Sequence, residues 1–435
     1  MKARKPIFCM GLKEDFKVGL FDFLSNNRVE DNYAIALDIG TEYAKSLIFK
    51  VDDGKCIVVG AGRQRQRLSD MQGGAVTDIH GVVQNCQKSL ERAATQAGLM
   101  PTQVIMGIAG ELVKGSTTTI KYTRPESKTN ITLDELKDII SKVQRRAFDR
   151  ARQILSWETG HAEIDVKLVN AAIVEVKIDG HKVTNPLGFQ GREVQVGVFN
   201  AFAPIVHLGA MQTIADELGL DLLSIVADPY ALAKSVGPKE SSEFSAIFVD
   251  IGGGTTDIAV VSQGGVEGTK MFALGGRSFT KRIATIMGSS FEEAEDTKIK
   301  YSANALPSDD MDLIRRGLET DCQVWLSGVE LTLEEFSNIE LLPSRILMCG
   351  GGSNLPDLAE TLAKAEWSKK LPFARRPSVH FIKSEDVENI VDQTGDLTHL
   401  WDITPMSLAN MAIDLVGAEG AVDSVLNRIV SSLRE

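Results

Sequence analysis

One sixteen-residue pattern occurs twice in this chain. AIALDIGTEYAKSLIF (34–49) lies over AIFVDIGGGTTDIAVV (246–261) at an offset of 212 residues, and Ala, Ile, Asp, Ile and Gly coincide, with Leu37 opposite Val249. Each copy reads as an apolar strand, an aspartate, a glycine turn with hydroxyl side chains and a second strand. Two such hairpins predict a duplicated α/β domain with pseudo-twofold symmetry.

The residue types point to a chemistry. Glycine has no Cβ, so backbone N–H groups in such a turn can approach a ligand closely. Successive amides form a nest that binds anions. Threonine hydroxyls add donors, and an aspartate at a strand end can hold Mg²⁺ through its waters. Facing each other, the two hairpins would clamp a polyphosphate and its metal. One turn alone would be read as a tight hairpin with a structural glycine; a second copy with the aspartate in register weakens that reading. A third glycine turn, SRILMCGGGSNLPDLAETLAKA (344–365), runs strand to turn to helix, with Asn354 or Asp357 able to cap the helix. It is neither G-x-x-x-x-G-K-[ST] nor G-x-G-x-x-G, and by itself it is a weak signal.

The 435 residues suggest about three domains or subdomains. Residues 1–32 read as a tail, in which FKVGLFDFL (16–24) could form a short amphipathic helix. The first domain then begins at residue 33 and runs to 103, with strand-like runs and a helix ending at Gly98. From 104 to 200 the texture changes: a long charged helix, opened by a Thr132-x-x-Glu135 capping box, sits between strand pairs as a small α+β domain. Helix–strand–helix order resumes over 201–236, as if the first domain had been interrupted, and 237–417 would form the second domain.

With 47 Lys and Arg against 59 Asp and Glu, the net charge is −12, which argues against nucleic acid as a partner. Apolar runs fall short of a membrane span, and MKARKPIFCMGLKEDF lacks the apolar core of a secretory signal. The five cysteines (Cys9, Cys56, Cys86, Cys322, Cys349) form no C-x-x-C pair and fit a reducing cytoplasm.

Taken in order, the three turns resemble those of the actin-like ATPase superfamily, and the resemblance implies that the duplicated α/β domain has that superfamily's ribonuclease H-like fold. LDIGTEYAKSLIF looks like its first phosphate motif, VDIGGGTTDIAVV like the second and ILMCGGGSNLPDL like the adenosine motif. EEAEDTKIKYS carries a Glu-x-x-Lys, Glu295 and Lys298; a surface i,i+3 ion pair is the plainer reading of that pair. Within the superfamily, MQGGAVTDIHGVVQNCQKSLERA, NPLGFQGREVQVGVFNA and GGRSFTKRIATIMGSSFEEAE resemble the FtsA family of bacterial division proteins, over about residues 33–416. The resemblance implies ATP and Mg²⁺, with Asp38 and Asp250 holding the metal through water. Gly40, Thr41, Gly252, Gly253, Gly254, Thr255 and Thr256 would bind phosphates; Gly350, Gly351, Gly352 and Asn354 would cradle adenosine, with Glu295 and Lys298 along the ribose. Implied too are self-association into filaments, the FtsZ C-terminal tail as partner, and the inner face of the cytoplasmic membrane, with slow or incidental hydrolysis.

Two departures stand out. Only a short subdomain fits near 290–343, and it contains the polar break NALPSDDMD. The family ends in a basic, aromatic amphipathic helix, whereas AVDSVLNRIVSSLRE in 418–435 presents Val422, Val425, Leu426, Ile429, Val430 and Leu433 as one stripe without Trp or Phe. That stripe suits either a membrane or a protein surface. A PilM-like pilus adaptor and a small-molecule kinase or ATPase on the same fold are the competing readings. A kinase needs a base aimed at an acceptor hydroxyl, and no motif outside the turns supplies one. A heat-shock-type chaperone would need a peptide-binding domain after the ATPase, and few residues follow Gly417.

Overall fold

The computed structural model describes residues 32–110, 112–160, 164–237, 243–364 and 366–416. The FKVGLFDFL segment and the C-terminal stripe lie outside the described residues.

The chain begins with strands β1 (Tyr33–Ile39), β2 (Tyr43–Asp52) and β3 (Lys55–Arg65), then helix α1 (Ile79–Ala97) and β4 (Gln103–Ile108). Next come β5 (Lys114–Thr123), α2 (Leu133–Thr159), β6 (Val166–Ile178) and β7 (Glu193–Pro204). The segment α3 (Ile205–Leu218), β8 (Asp221–Ala227) and α4 (Asp228–Ser235) leads to β9 (Ala246–Ile251), β10 (Thr256–Ser262) and β11 (Gly265–Phe272). Helices α5 (Gly276–Met287), α6 (Phe291–Ser302) and α7 (Ser308–Glu334) precede β12 (Arg345–Cys349), α8 (Pro356–Ala363), β13 (Ser378–Phe381), β14 (Ile390–Asp392) and α9 (Ile403–Val416).

The duplication is present in the sheets. One has the order β8-β4-β1-β2-β3-β14; the other contains β13-β12-β9-β10-β11. In both, the central strand pairs antiparallel with the next strand and parallel with a later one, β1 with β4 and β9 with β12. Three apolar cores result: one around the first sheet, one between the second sheet and α5 to α8, and one inside the insert.

The insert starts later than the sequence suggests. β4 pairs with both β1 and β8, so residues 104–108 belong to the first domain's sheet and the expected boundary at 104 falls inside a strand. The interrupting unit runs from β5 to β7, with α2 packed on its sheet. Its sheet is not separate: β5 pairs with β11 at Ser116↔Gly268 and Gly115↔Thr269, joining it to the second domain. The Phe199 ring also stacks on Tyr230 of α4 at 5.0 Å. The expected capping box is half formed. Thr132 accepts from the Glu135 N–H at 3.3 Å, but the Glu135 carboxylate turns to Arg124, at 2.8 and 2.9 Å.

The short subdomain is helical, with no strand among the described residues between Phe272 and Arg345. The polar break divides in two: α6 ends at Ser302, and Ser308 already opens α7, so Asp309 and Asp310 lie in a helical first turn where carboxylates are favourable. Trp325 of α7 is fully buried against the second sheet.

Candidate functional site

The two repeated hairpins meet tip to tip. A Cβ on Gly254 would lie 2.8 Å from the Thr41 side chain, and one on Gly253 would lie 2.7 Å from Glu42 Cβ. Glycine is thus required at these positions for hairpin against hairpin. In the third turn Gly350 has φ +84°, and a Cβ there would lie 2.1 Å from Asp250 Oδ1. Residue types that tolerate neither the angle nor the approach are excluded.

Beneath the turns is a buried cluster of charge. Asp38 faces Lys45 across the first hairpin, and Asp250 faces Asp257 across the second, so positions equivalent in the repeat carry a lysine in one copy and an aspartate in the other. Lys45 Nζ lies 2.6 Å from Asp38 Oδ2. Asp250 accepts from Thr404 Oγ1 at 2.6 Å and Asp257 from Thr255 Oγ1 at 2.9 Å. Asp228, the first residue of α4, joins them, and the Oδ1 atoms of Asp228 and Asp257 are buried without a hydrogen-bond partner. Burial pushes the carboxyl of Asp228 well up, with the Asp38, Asp257 and Asp250 charges adding to it and Lys45 opposing. Asp250 is raised by burial as well. Burial and the nearby Asp250 push Asp257 up to about 8. Burial works against the Lys45 ammonium, but Asp38 outweighs it and the pKa lies above the ordinary value.

A group whose folded pKa is raised stabilises the fold when protonated and loses that contribution as pH rises through the folded value. For Asp257 the window runs from 3.8 to about 8. The ligand-free chain is therefore expected to melt at lower temperature at pH 8 than at pH 5.5, and Asp257→Asn to flatten this slope. Equal slopes in the two chains, followed by thermal denaturation, would contradict the assignment.

Above the cluster opens a cavity of about 420 Å³ between the domains. Asp38, Gly40, Thr41, Asp250, Gly252, Gly253, Thr255, Glu295, Lys298, Gly350, Gly351, Gly352 and Asn354 all line it. Glu295 and Lys298 form an ion pair at 2.7 Å with side chains only 11% and 13% exposed, and Lys298 Nζ also donates to Thr280 Oγ1 at 2.8 Å. A solvated surface pair is thereby ruled out.

Two expected residues are elsewhere. Gly254 faces Thr41 and does not line the cavity. Thr256 is fully buried on the other side of its strand, donating to the Leu274 carbonyl at 2.7 Å and accepting from Trp325 Nε1 at 2.9 Å. Successive strand residues point to opposite faces, so Thr255 and Thr256 cannot both face the cleft. Nor do Asn354 and Asp357 cap α8. Leu355 holds the cap position before Pro356, Asp357 accepts from the Tyr301 hydroxyl at 2.9 Å, and Asn354 Nδ2 donates to the Gly351 carbonyl at 3.1 Å.

Arg277 of α5 crosses the cleft. Its Nε lies 2.7 Å from Glu42 Oε2, its Nη2 donates to the Thr41 carbonyl at 2.6 Å, and Glu42 also takes Arg65 at 2.7 Å. Lys45, Asp228, Asp257, Thr404 and Arg277 were not singled out from sequence. Lys45 and Asp257 could have been found by asking what each copy of the repeat places opposite its shared aspartate; for the others there is no local signal.

The profile described as "Cell division protein FtsA" matches residues 247–391, and that of "MreB/Mbl protein" matches 181–312. The chain is FtsA-like in sequence over these residues and actin-like in fold. It is 26% identical over 270 residues to the cell division protein FtsA of Pseudomonas aeruginosa, covering 62% of this chain and 60% of that one. To FtsA of Neisseria meningitidis it is 28% identical over 274 residues, covering 62% of each. The match thus spans about three-fifths of the length of these two relatives. FtsA of Enterococcus faecalis is 23% identical over 401 residues, with 86% of each chain covered. Among solved structures, the PilM-PilN type IV pilus biogenesis complex aligns with a TM-score of 0.58 at 19% identity, covering 91% of this chain and 100% of the other, a likeness of fold.

Proposed function

We propose that the FtsA-like chain binds ATP with Mg²⁺ in the cleft between its domains and works as an actin-like assembly protein of bacterial cell division, linking FtsZ filaments to the inner face of the membrane. The observation that carries this reading is the convergence of two glycine-turn hairpins, each with an aspartate at the end of its first strand (Asp38 buried, Asp250 partly so), with a third glycine turn on one cavity.

Thr41 and Gly253 can offer the phosphates backbone N–H groups, and Thr41 its hydroxyl. Gly40 and Gly252 close the turns, their N–H groups donating to the Tyr43 and Thr255 carbonyls at 3.1 and 2.9 Å, and the Thr255 hydroxyl holds Asp257. Gly350, Gly351, Gly352 and Asn354, with Glu295 and Lys298, take the nucleoside. The donor set fits Mg²⁺, a hard cation that keeps several waters. Two buried carboxylate oxygens lack partners, and among the described residues no three His, Cys, Asp or Glu side chains could ligate a metal directly. Asp38 and Asp250 would hold it through water, with Asp257 and Asp228 close by. Bound Mg²⁺ neutralises phosphate charge and polarises the terminal phosphoryl group. Lys45 balances the phosphates from below, and Asp228, which lines the same cavity, can orient a water there. Slow turnover suits a protein whose nucleotide governs assembly.

The exposed side chains Leu313, Val324 and Leu331 of α7 recur at spacings of 11 and 7 and so share one helical face. That row supports the short subdomain as the place for the FtsZ tail. No helix among the described residues is long and apolar enough to cross a membrane, so membrane association is peripheral in this reading and falls to the segment 418–435.

Replacing Asp250 with asparagine is expected to weaken Mg-ATP binding about 10–100-fold, the usual cost of losing an outer-shell carboxylate. Titration calorimetry with and without Mg²⁺ measures it, and an unchanged affinity would refute the clamp. Binding of the FtsZ C-terminal peptide, compared between the chain and Leu331→Ser, tests the partner.

A further inference from the structure

We infer that helix α2 of the inserted domain is a docking face for anionic lipid headgroups. Residues 114–204 carry 14 Lys and Arg against 11 Asp and Glu, a net of +3, in a chain whose total is −12. Helix α2 as a whole has six basic side chains against five acids, but its acids gather at the ends: Lys142, Arg145, Arg146, Arg150 and Arg152 share residues 142–157 with the single acid Asp149. The helix buries Ile139, Ile140, Val143, Ala147, Ala151 and Leu155 on its own sheet, which turns the basic side outward.

Lys142, Arg146, Arg150 and Trp157 recur at i, i+4, i+8 and i+15, so they form one row along the helix. Arg145, Arg146 and Arg150 are exposed and make no ion pair among the described residues, whereas the acids at the helix ends are engaged, Glu135 by Arg124 and Glu158 by Lys114. Trp157 closes the row at 86% exposure, the most exposed large apolar side chain described.

A large amphipathic ring left in water beside unpaired guanidinium groups is the composition of an interfacial anchor, not of a solvated helix face. An acidic protein would answer the charge but leave the tryptophan unexplained, and nucleic acid is disfavoured by the strongly acidic remainder of the chain. Adsorption by basic side chains is worth enough per residue near an anionic leaflet to matter when several act together. This inference rests on the membrane-facing part of the proposed function, but on a different segment from 418–435 and on no property of the cleft. The insert would thus give the body a second contact with the same surface.

Co-sedimentation of the full chain with phosphatidylcholine vesicles, with and without about a third phosphatidylglycerol, tests it. The Arg146→Gln/Arg150→Gln chain is expected to bind the anionic vesicles roughly 10–30-fold more weakly, with less salt dependence. Trp157 emission should shift to the blue on anionic vesicles, and the Trp157→Phe chain should lose that shift, since Trp325 and Trp367 are already buried and the half-buried Trp401 lines the cleft, stacked on His399. A companion chain with Leu426→Ser and Ile429→Ser isolates the C-terminal segment. If only that companion loses binding, the lipid role of α2 is overturned while the membrane role of the tail stands. If the Gln chain binds vesicles like the parent but loses concentration-dependent self-association or binding to an acidic peptide, α2 is a protein-docking face and the inference fails.

Discussion

A chain with methionine in place of Lys45 is expected to lose about 3–5 kcal/mol of stability at neutral pH, because removing one member of a buried ion pair leaves the other charge uncompensated. The lysine is in contact with Asp38 at 2.6 Å and also feels the charges of Asp250 and Asp402. It is the cation that opposes the repulsion around Asp228. Methionine keeps the length of the side chain, so packing changes little and the effect is electrostatic. The loss should shrink as pH falls, since protons then neutralise the carboxylates that the lysine had balanced. Urea denaturation at pH 7.5 and pH 5.5 decides it. A loss below about 1 kcal/mol, or an equal loss at both pH values, would mean that solvent or another group already screens the cluster.

Trp325→Ala is the second large effect, at about 3–5 kcal/mol. The ring is fully buried between α7 and the second sheet, and its Nε1 donates to Thr256 Oγ1 at 2.9 Å. Alanine would leave a cavity beside Val329 and Leu318 that the rigid strands cannot fill by moving. Trp325→Phe keeps most of the contact but drops the hydrogen bond, so about 1 kcal/mol is expected from it. The same packing fixes the hand of the second hairpin: with Thr256 turned to the tryptophan, Thr255 is left facing the cleft. The alanine chain should therefore also bind nucleotide more weakly, even where it remains folded. Calorimetric unfolding together with nucleotide titration separates the two consequences, and a stable alanine chain with unchanged affinity would break the connection.

The parts of this site that were legible in sequence are those made by local geometry. A glycine turn after an aspartate at a strand end declares itself within a few residues, and its repetition located the two hairpins that meet at the cleft. Alternation along the strand should have separated Thr255 from Thr256, since a threonine pair on a strand cannot share a face. Lys45 and Asp257 escaped because copies are compared for what they share, and here the chemistry lies where they differ. Asp228 begins a helix behind a strand that is remote in sequence, and only the parallel pairing of β4 and β8 brings it under the hairpins. The boundary near residue 104 failed for a related reason: a six-residue apolar strand has no signature of the sheet it will join. Helix ends were misread where a tertiary partner outbid the local one, as Arg124 does for Glu135 and Tyr301 for Asp357.

The pairing of β5 with β11 gives the molecule a mechanical wiring that its chain order does not suggest. The insert is tethered by both its ends to the first domain, yet its sheet is laced into the second, two strands away from Asp250. A pull on the insert is therefore delivered along a backbone ladder to the strand that follows the second glycine turn, without passing through any flexible joint. If α2 is gripped from outside, load borne at the periphery would reach the floor of the cleft through this ladder.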